Sequence, residues 1–213
     1  MEARGGPTAR PSHSQRNRAP RVPTVDIALD YGKRFSADTR TGANERALTW
    51  LFGSYPANVD HQQVLVKVVA LNGLYSTNVF AVTDMADHIC GLGIDPALKA
   101  GDLAVADRIA ALPTSGLRHY SFATKYCSWH QPERFPIYDN LVERLLWSYQ
   151  RHSHFGDFKR DDLQDYSRYV AAIRSFMARF GLSGLTFKQV DEFLWLSARE
   201  LYPQKKHSSD RAR

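Results

Sequence analysis

The chain has 213 residues, enough for one domain with a substantial core and too few for two of ordinary size. Its two cysteines, Cys90 and Cys127, are too few for a disulfide scaffold or a four-cysteine iron–sulfur cluster, and no apolar run approaches the ~18 residues that span a bilayer. The formal charge of +6 sits at the ends: +4 over residues 1–23 and +3 over 204–213, which leaves about −1 for everything between.

Residues 1–23 are rich in Arg, Pro, Ser and Gly and cannot bury enough apolar surface to offset the entropy of ordering, so they read as a disordered basic tail. They lack the apolar core of a secretory signal and the amphipathic pattern of a transit peptide, and with two unpaired cysteines the expected compartment is the cytoplasm. After residue 40 apolar residues recur at helical spacing, with no period-two alternation, which predicts an all-α fold over 24–203. Helices are expected near 43–53 (Ala47, Leu48, Leu51, Phe52) and 59–72, where "VLVKVVAL" falls. A third is capped by Ser76 or Thr77 and stops at Gly91 and Gly93, and Tyr75 and Asn78 at its entry are candidates to line a cleft. The pattern resumes over 101–111, breaks at "LPTSG", and resumes over 117–129. "HQPERFPIYD" then returns in extended form, because residues before proline avoid the α region. Asp139 stands where an N-cap opens "NLVERLLWSYQ". His152 and His154 lack further ligands, so no metal and no cofactor is expected. Helices over 163–180, with Tyr169, Ile173, Phe176 and Met177 inward, and 187–200, with Trp195 in the core, complete the domain before a second basic tail, 204–213.

The order helix, "LPTSGLR", helix, extended return, Asp-capped helix resembles the helix-hairpin-helix DNA glycosylase superfamily, and most closely its 8-oxoguanine DNA glycosylase-like branch, over about residues 76–150. That branch carries Leu-Pro-Gly-aliphatic-Gly, one residue and then lysine in its hairpin, and a Pro-x-Asp at the start of the next helix. The matching residues are Leu112, Pro113, Gly116 and the "FPIYD" that ends at Asp139. Three positions depart from the pattern. Thr114 replaces the first hairpin glycine, one extra residue separates Pro136 from Asp139, and Arg118 occupies the place of the lysine. An arginine does not lose its proton and cannot form a Schiff base.

The resemblance implies a compact all-α domain with a helix-hairpin-helix element, DNA as partner, and excision of a damaged or modified base by cleavage of its N-glycosidic bond; the lack of a long apolar run predicts no membrane, and the charged outer helix faces predict a monomer. The resemblance makes Asp139 the catalytic carboxylate that stabilises positive charge on the sugar. It places Gly116, Arg118 and His119 against a DNA phosphate, and Trp129, His130, Tyr138 and Phe122 around an extruded base. Lys125 is the alternative amine for a lyase step, two helical turns beyond Arg118 on much the same face. A straight return of nine residues comes back ~30 Å, or about twenty residues of helix, and sets Asp139 nearer 118–121 than 125, whereas a bend at its two prolines brings Asp139 toward Lys125. Other readings stay open for the same residues: Asp139 as a plain N-cap, the aromatics as core, and the hairpin as an ordinary turn. At the level of the whole chain, the alternatives are a non-catalytic helix-hairpin-helix nucleic-acid-binding module and a protein-interaction domain.

Overall fold

A computed structural model describes residues 20–203, and the expected tails over 1–19 and 204–213 lie outside the described residues. Ten α-helices follow in chain order: α1 Val25–Ala37, α2 Thr39–Ser54, α3 His61–Tyr75, α4 Val82–Leu92, α5 Asp95–Ala100, α6 Ala104–Ala110, α7 Tyr120–His130, α8 Asn140–Ser153, α9 Tyr166–Arg179 and α10 Phe187–Leu201. A short 3-10 helix, Arg160–Gln164, precedes α9. Among the described residues there is no β-strand, and a single antiparallel bridge pairs Ala111 with Arg118. The fold is all-α, and no described helix is long and apolar enough to cross a membrane.

Oxygen-bearing side chains start six of these helices. Thr24, Asp38, Asp60, Asp139, Asp165 and Thr186 each accept a hydrogen bond from a backbone N–H in the first turn, relieving donors that have no intrahelical partner. Gly93 and Gly101 end α4 and α5 in the left-handed region.

Several boundaries differ from the sequence reading. Helix α1, where no helix was expected, carries Ile27, Ala28, Tyr31 and Phe35 at helical spacing; it buries Ala28 and Tyr31 and packs against α10. Ser76 is not an N-cap: it ends α3 in the left-handed conformation at φ 51°, and α4 begins six residues later without a side-chain cap. Between them, Asn72 holds the loop by donating to the Val79 carbonyl and accepting from its N–H. The region near 101–111 divides, because Gly101 closes α5 and α6 begins at Ala104. Residues 20–23, assigned by composition to the tail, join the domain: the Arg21 carbonyl accepts from Tyr149 Oη at 2.5 Å, and Pro23 is buried.

The core lies where α7 passes through the middle, with α6 along it and α2 and α3 against it, while α10 packs on α1 and α8. Phe122, Tyr126 and Cys127 of α7 have no exposed surface. A second aromatic cluster joins Tyr149, Phe155, Phe176 and Phe180, with Phe176 centroids 4.9–5.5 Å from the other three. Phe176→Ala should therefore cost about 3–5 kcal/mol through lost burial and the cavity left behind. Urea unfolding should show a lower midpoint at unchanged slope.

Candidate active site

Helix α7 has almost no solvent face, since Phe122 to Cys127 are all buried, so each polar group on it must find a partner inside. Those partners come from the returning chain. The return begins with a turn in which the Arg134 and Phe135 N–H groups donate to the Gln131 carbonyl at 3.0 and 3.1 Å. Only Phe135 to Asp139 run extended, and side chains rather than a sheet satisfy that leg. Tyr166 and Tyr169 hydroxyls donate to the Pro136 and Ile137 carbonyls, and the Tyr138 N–H donates to Thr124 Oγ1 at 3.0 Å. The turn shortens the leg to five residues, ~16 Å, which corrects the straight-return estimate and sets Tyr138 and Asp139 beside Ser121, Thr124 and Lys125.

The buried Lys125 ammonium donates to Ser121 Oγ at 2.6 Å and to the Tyr138 carbonyl at 3.1 Å, and lies 3.9 Å from Asp139 Oδ2. Burial holds its pKa below that of an ordinary lysine, against the opposing pull of Asp139 and Asp191. Asp139 divides its oxygens: Oδ1 caps α8 by accepting from the Leu141 N–H at 2.8 Å, and Oδ2 faces the amine. Its side chain is 26% exposed, so the carboxylate is neither sealed nor fully open. Asp191, on α10, is half-buried, and burial raises its carboxyl pKa to about 7 although Lys125 and Lys188 oppose the shift.

Beside this group lies a cleft of about 810 Å³, lined among others by Phe52, Trp129, His130, Phe187, Lys188 and Asp191. Phe52 forms one aromatic wall, 6.0 Å from Trp129 and 4.9 Å from His130 between ring centroids. Lys125 lies one turn before the lining residues Ser128 and Trp129, and its acceptor Tyr138 follows the lining residues Pro136 and Ile137. The cleft thus adjoins the Lys125–Asp139 pair, although neither of the two is itself a lining residue.

Of the four residues expected around a base, the structure brings Trp129 and His130 to the cleft and leaves two elsewhere. Phe122 is wholly inside the core against Tyr126, and Tyr138 turns its hydroxyl to Glu143 Oε2 at 2.7 Å. Both positions fall on the inward side of their segments, where packing claims the ring. The hairpin group is also engaged within the chain. Arg118 pairs with Asp107 at 2.5 Å and stacks 4.1 Å over the Tyr120 ring, and the buried His119 shares a hydrogen bond with Ser115 Oγ. Gly116 is exposed, with φ 63°, a conformation open to it without strain. Tyr75 reaches the site from α3, where the Lys125 ammonium lies 5.5 Å from its ring centroid, whereas Asn78 is exposed in the loop. Among the described residues no group of three or more His, Cys, Asp or Glu side chains could hold a metal ion.

Sequence reasoning missed Asp191 and a second buried lysine. Lys67 has no exposed surface and donates to the Tyr55 and Ala57 carbonyls and to Asn58 Oδ1, at 3.0, 2.9 and 2.8 Å. Burial lowers its pKa to about 8. Its signal was present, since Lys67 shares the inward stripe of α3 with Val64, Val68 and Leu71.

An all-helical domain with an acid–amine pair beside an aromatic cleft is the class that this geometry defines. Residues 27–134, just over half of the chain, match the family model described as HI_0787_N, N-terminal domain. A protein of Haemophilus influenzae bearing the name "Uncharacterized protein" is 38% identical over 149 residues, covering 68% of this chain and 71% of the relative. The chain belongs to the HI_0787_N N-terminal domain family. The matched segment contains Lys67, Lys125, Trp129 and His130 and stops before Asp139 and Asp191. No solved structure matches.

The raised carboxyl of Asp191 has a measurable consequence. Below its ordinary pKa of 3.8 both folded and unfolded chains hold the proton. Between there and about 7 only the folded chain does, so this contribution to stability is lost as pH rises through the folded value. In urea titrations Asp191→Asn should gain on the native protein progressively from pH 4 to 7 and level off above.

Proposed function

We propose that the chain is a DNA base-excision enzyme that takes a flipped-out nucleobase into the cleft and breaks its N-glycosidic bond. The observation that carries this reading is the buried Lys125 amine 3.9 Å from the Asp139 carboxylate, next to an aromatic-walled cleft large enough for a base. Trp129 and Phe52 offer ring faces for stacking, and His130 and Asp191 offer polar edges. As the bond breaks, its electron pair leaves on the base and positive charge develops at C1′, where Asp139 stabilises it. Lys125, made less basic by its surroundings, gives up a proton to solvent and its nitrogen adds to C1′. The C1′–O4′ bond then breaks with its electron pair on O4′, which takes up a proton, to leave a Schiff base, and loss of a C2′ proton with departure of the C3′ phosphate cuts the strand. Arg118, in its pairing with Asp107, serves the hairpin rather than the chemistry.

The non-catalytic module is the competing reading, and one experiment separates the two. Duplexes that each contain one modified base are incubated with the protein, treated with alkali to reveal abasic sites, and, in parallel, treated with borohydride. We expect base release on at least one duplex and a borohydride-trapped covalent complex. Asp139→Asn should slow release at least ~100-fold with DNA binding within a few-fold, and Lys125→Gln should abolish trapping. Binding with no release across a broad panel would leave the module.

A further inference from the structure

The Lys67 ammonium has three protons and three oxygens that accept them: the Tyr55 carbonyl, the Ala57 carbonyl and Asn58 Oδ1. The amide of Asn58 cannot be turned the other way. Its Nδ2 donates to Asp95 Oδ1 at 2.6 Å, and its Oδ1 also accepts from the Tyr126 hydroxyl at 2.6 Å. All three acceptors are therefore fixed, and the amine holds its full complement of protons. A fourth group faces it: His130 Nε2, at 3.4 Å. An N–H at Nε2 would point its positive hydrogen at an ammonium, whereas a bare lone pair is attracted to it. Protonation of the whole ring is opposed first by burial and then by the same cation, which hold the His130 pKa down to about 3. The imidazole is thus left neutral, with its proton on the other nitrogen.

We propose that Lys67 is a positioning residue that locks His130 in the Nδ1–H tautomer, making it a permanent neutral hydrogen-bond donor into the cleft. His130 then selects a ligand edge that presents an acceptor, either a carbonyl oxygen or an unprotonated ring nitrogen. His130 lines the cleft, and among the described residues nothing accepts a hydrogen bond from Nδ1. The Lys67 cluster also ties down Tyr55 to Asn58, of which Ala57 lines the cleft with its neighbour Pro56, so one amine shapes the floor and sets the polarity of the ring above it. Edges bearing only N–H groups would meet the His130 donor head-on and be rejected.

The tautomer is read directly, without any substrate, from long-range ¹H–¹⁵N correlation spectra of the histidine rings. Wild-type protein should show His130 with a protonated Nδ1 and a bare Nε2 across pH 5–7, and Lys67→Met should lose that single state. A protonated Nε2 in the wild type, or a pattern unmoved by Lys67→Met, overturns the lock. Should the methionine variant not fold, the wild-type spectrum decides alone. The donor role is tested with hypoxanthine, a planar probe that carries a carbonyl, its uptake by wild type and variants measured by equilibrium dialysis. Asparagine at 130 keeps an N–H close to the place of Nδ1 and leucine removes it. Uptake by His130→Leu should be at least ~10-fold weaker than by His130→Asn, the scale of one lost hydrogen bond. Equal uptake by the two variants, or none by the wild type, overturns the donor role. Neither measurement depends on glycosidic cleavage, so loss of the excision reading would be seen separately, in the duplex panel.

Discussion

A helix surrounded by protein on all sides cannot leave its polar side chains to water, and α7 is such a helix. Thr124 and Lys125 sit among Phe122, Ala123, Tyr126 and Cys127, at most 3% exposed. The cost of stranding an ammonium and a hydroxyl there is removed by laying an extended segment alongside, whose carbonyls and N–H groups are themselves short of partners. Each side satisfies the other: Lys125 and Ser121 donate to the Tyr138 carbonyl, and Thr124 accepts from the Tyr138 N–H. This reciprocity fixes where the chain can turn into α8, and hence where the Asp139 carboxylate lies relative to the amine.

That arrangement explains what the sequence disclosed and what it withheld. The helical period of the chain, the break at "LPTSG", the two prolines of the return and the capping role of Asp139 are local properties, and they were legible. The separation between Asp139 and Lys125 was not, because it depends on a turn at Gln131–Phe135 that converts a long straight segment into a short one. The end of α7, where the chain turns back, favours Trp129 and His130 over Phe122 as the pocket pair, and that much was legible; which elements close the cleft around them was not. Asp191 falls in the same category, since it lies more than fifty residues from the pair whose charges it shares.

Lys67 teaches a different lesson. A lysine on the apolar stripe of a helix is unusual enough to be noticed in a sequence, because a buried ammonium demands several oxygens at fixed places. What the sequence cannot give is their identity. Here they come from Tyr55, Ala57 and Asn58, a stretch that would otherwise be an ordinary connection between α2 and α3.

The two flanks of the cleft are held in different ways. The side formed by Pro136 and Ile137 is pinned at successive peptide groups by the hydroxyls of Tyr166 and Tyr169 and by the α7 side chains that grip Tyr138. Gly53 to Ala57 depend on a charge: the Lys67 ammonium takes the Tyr55 and Ala57 carbonyls, and Asn58 just beyond them is fixed by Asp95 and Tyr126. Neutralising that single cation would thus undo one flank of the hollow and leave the other in place.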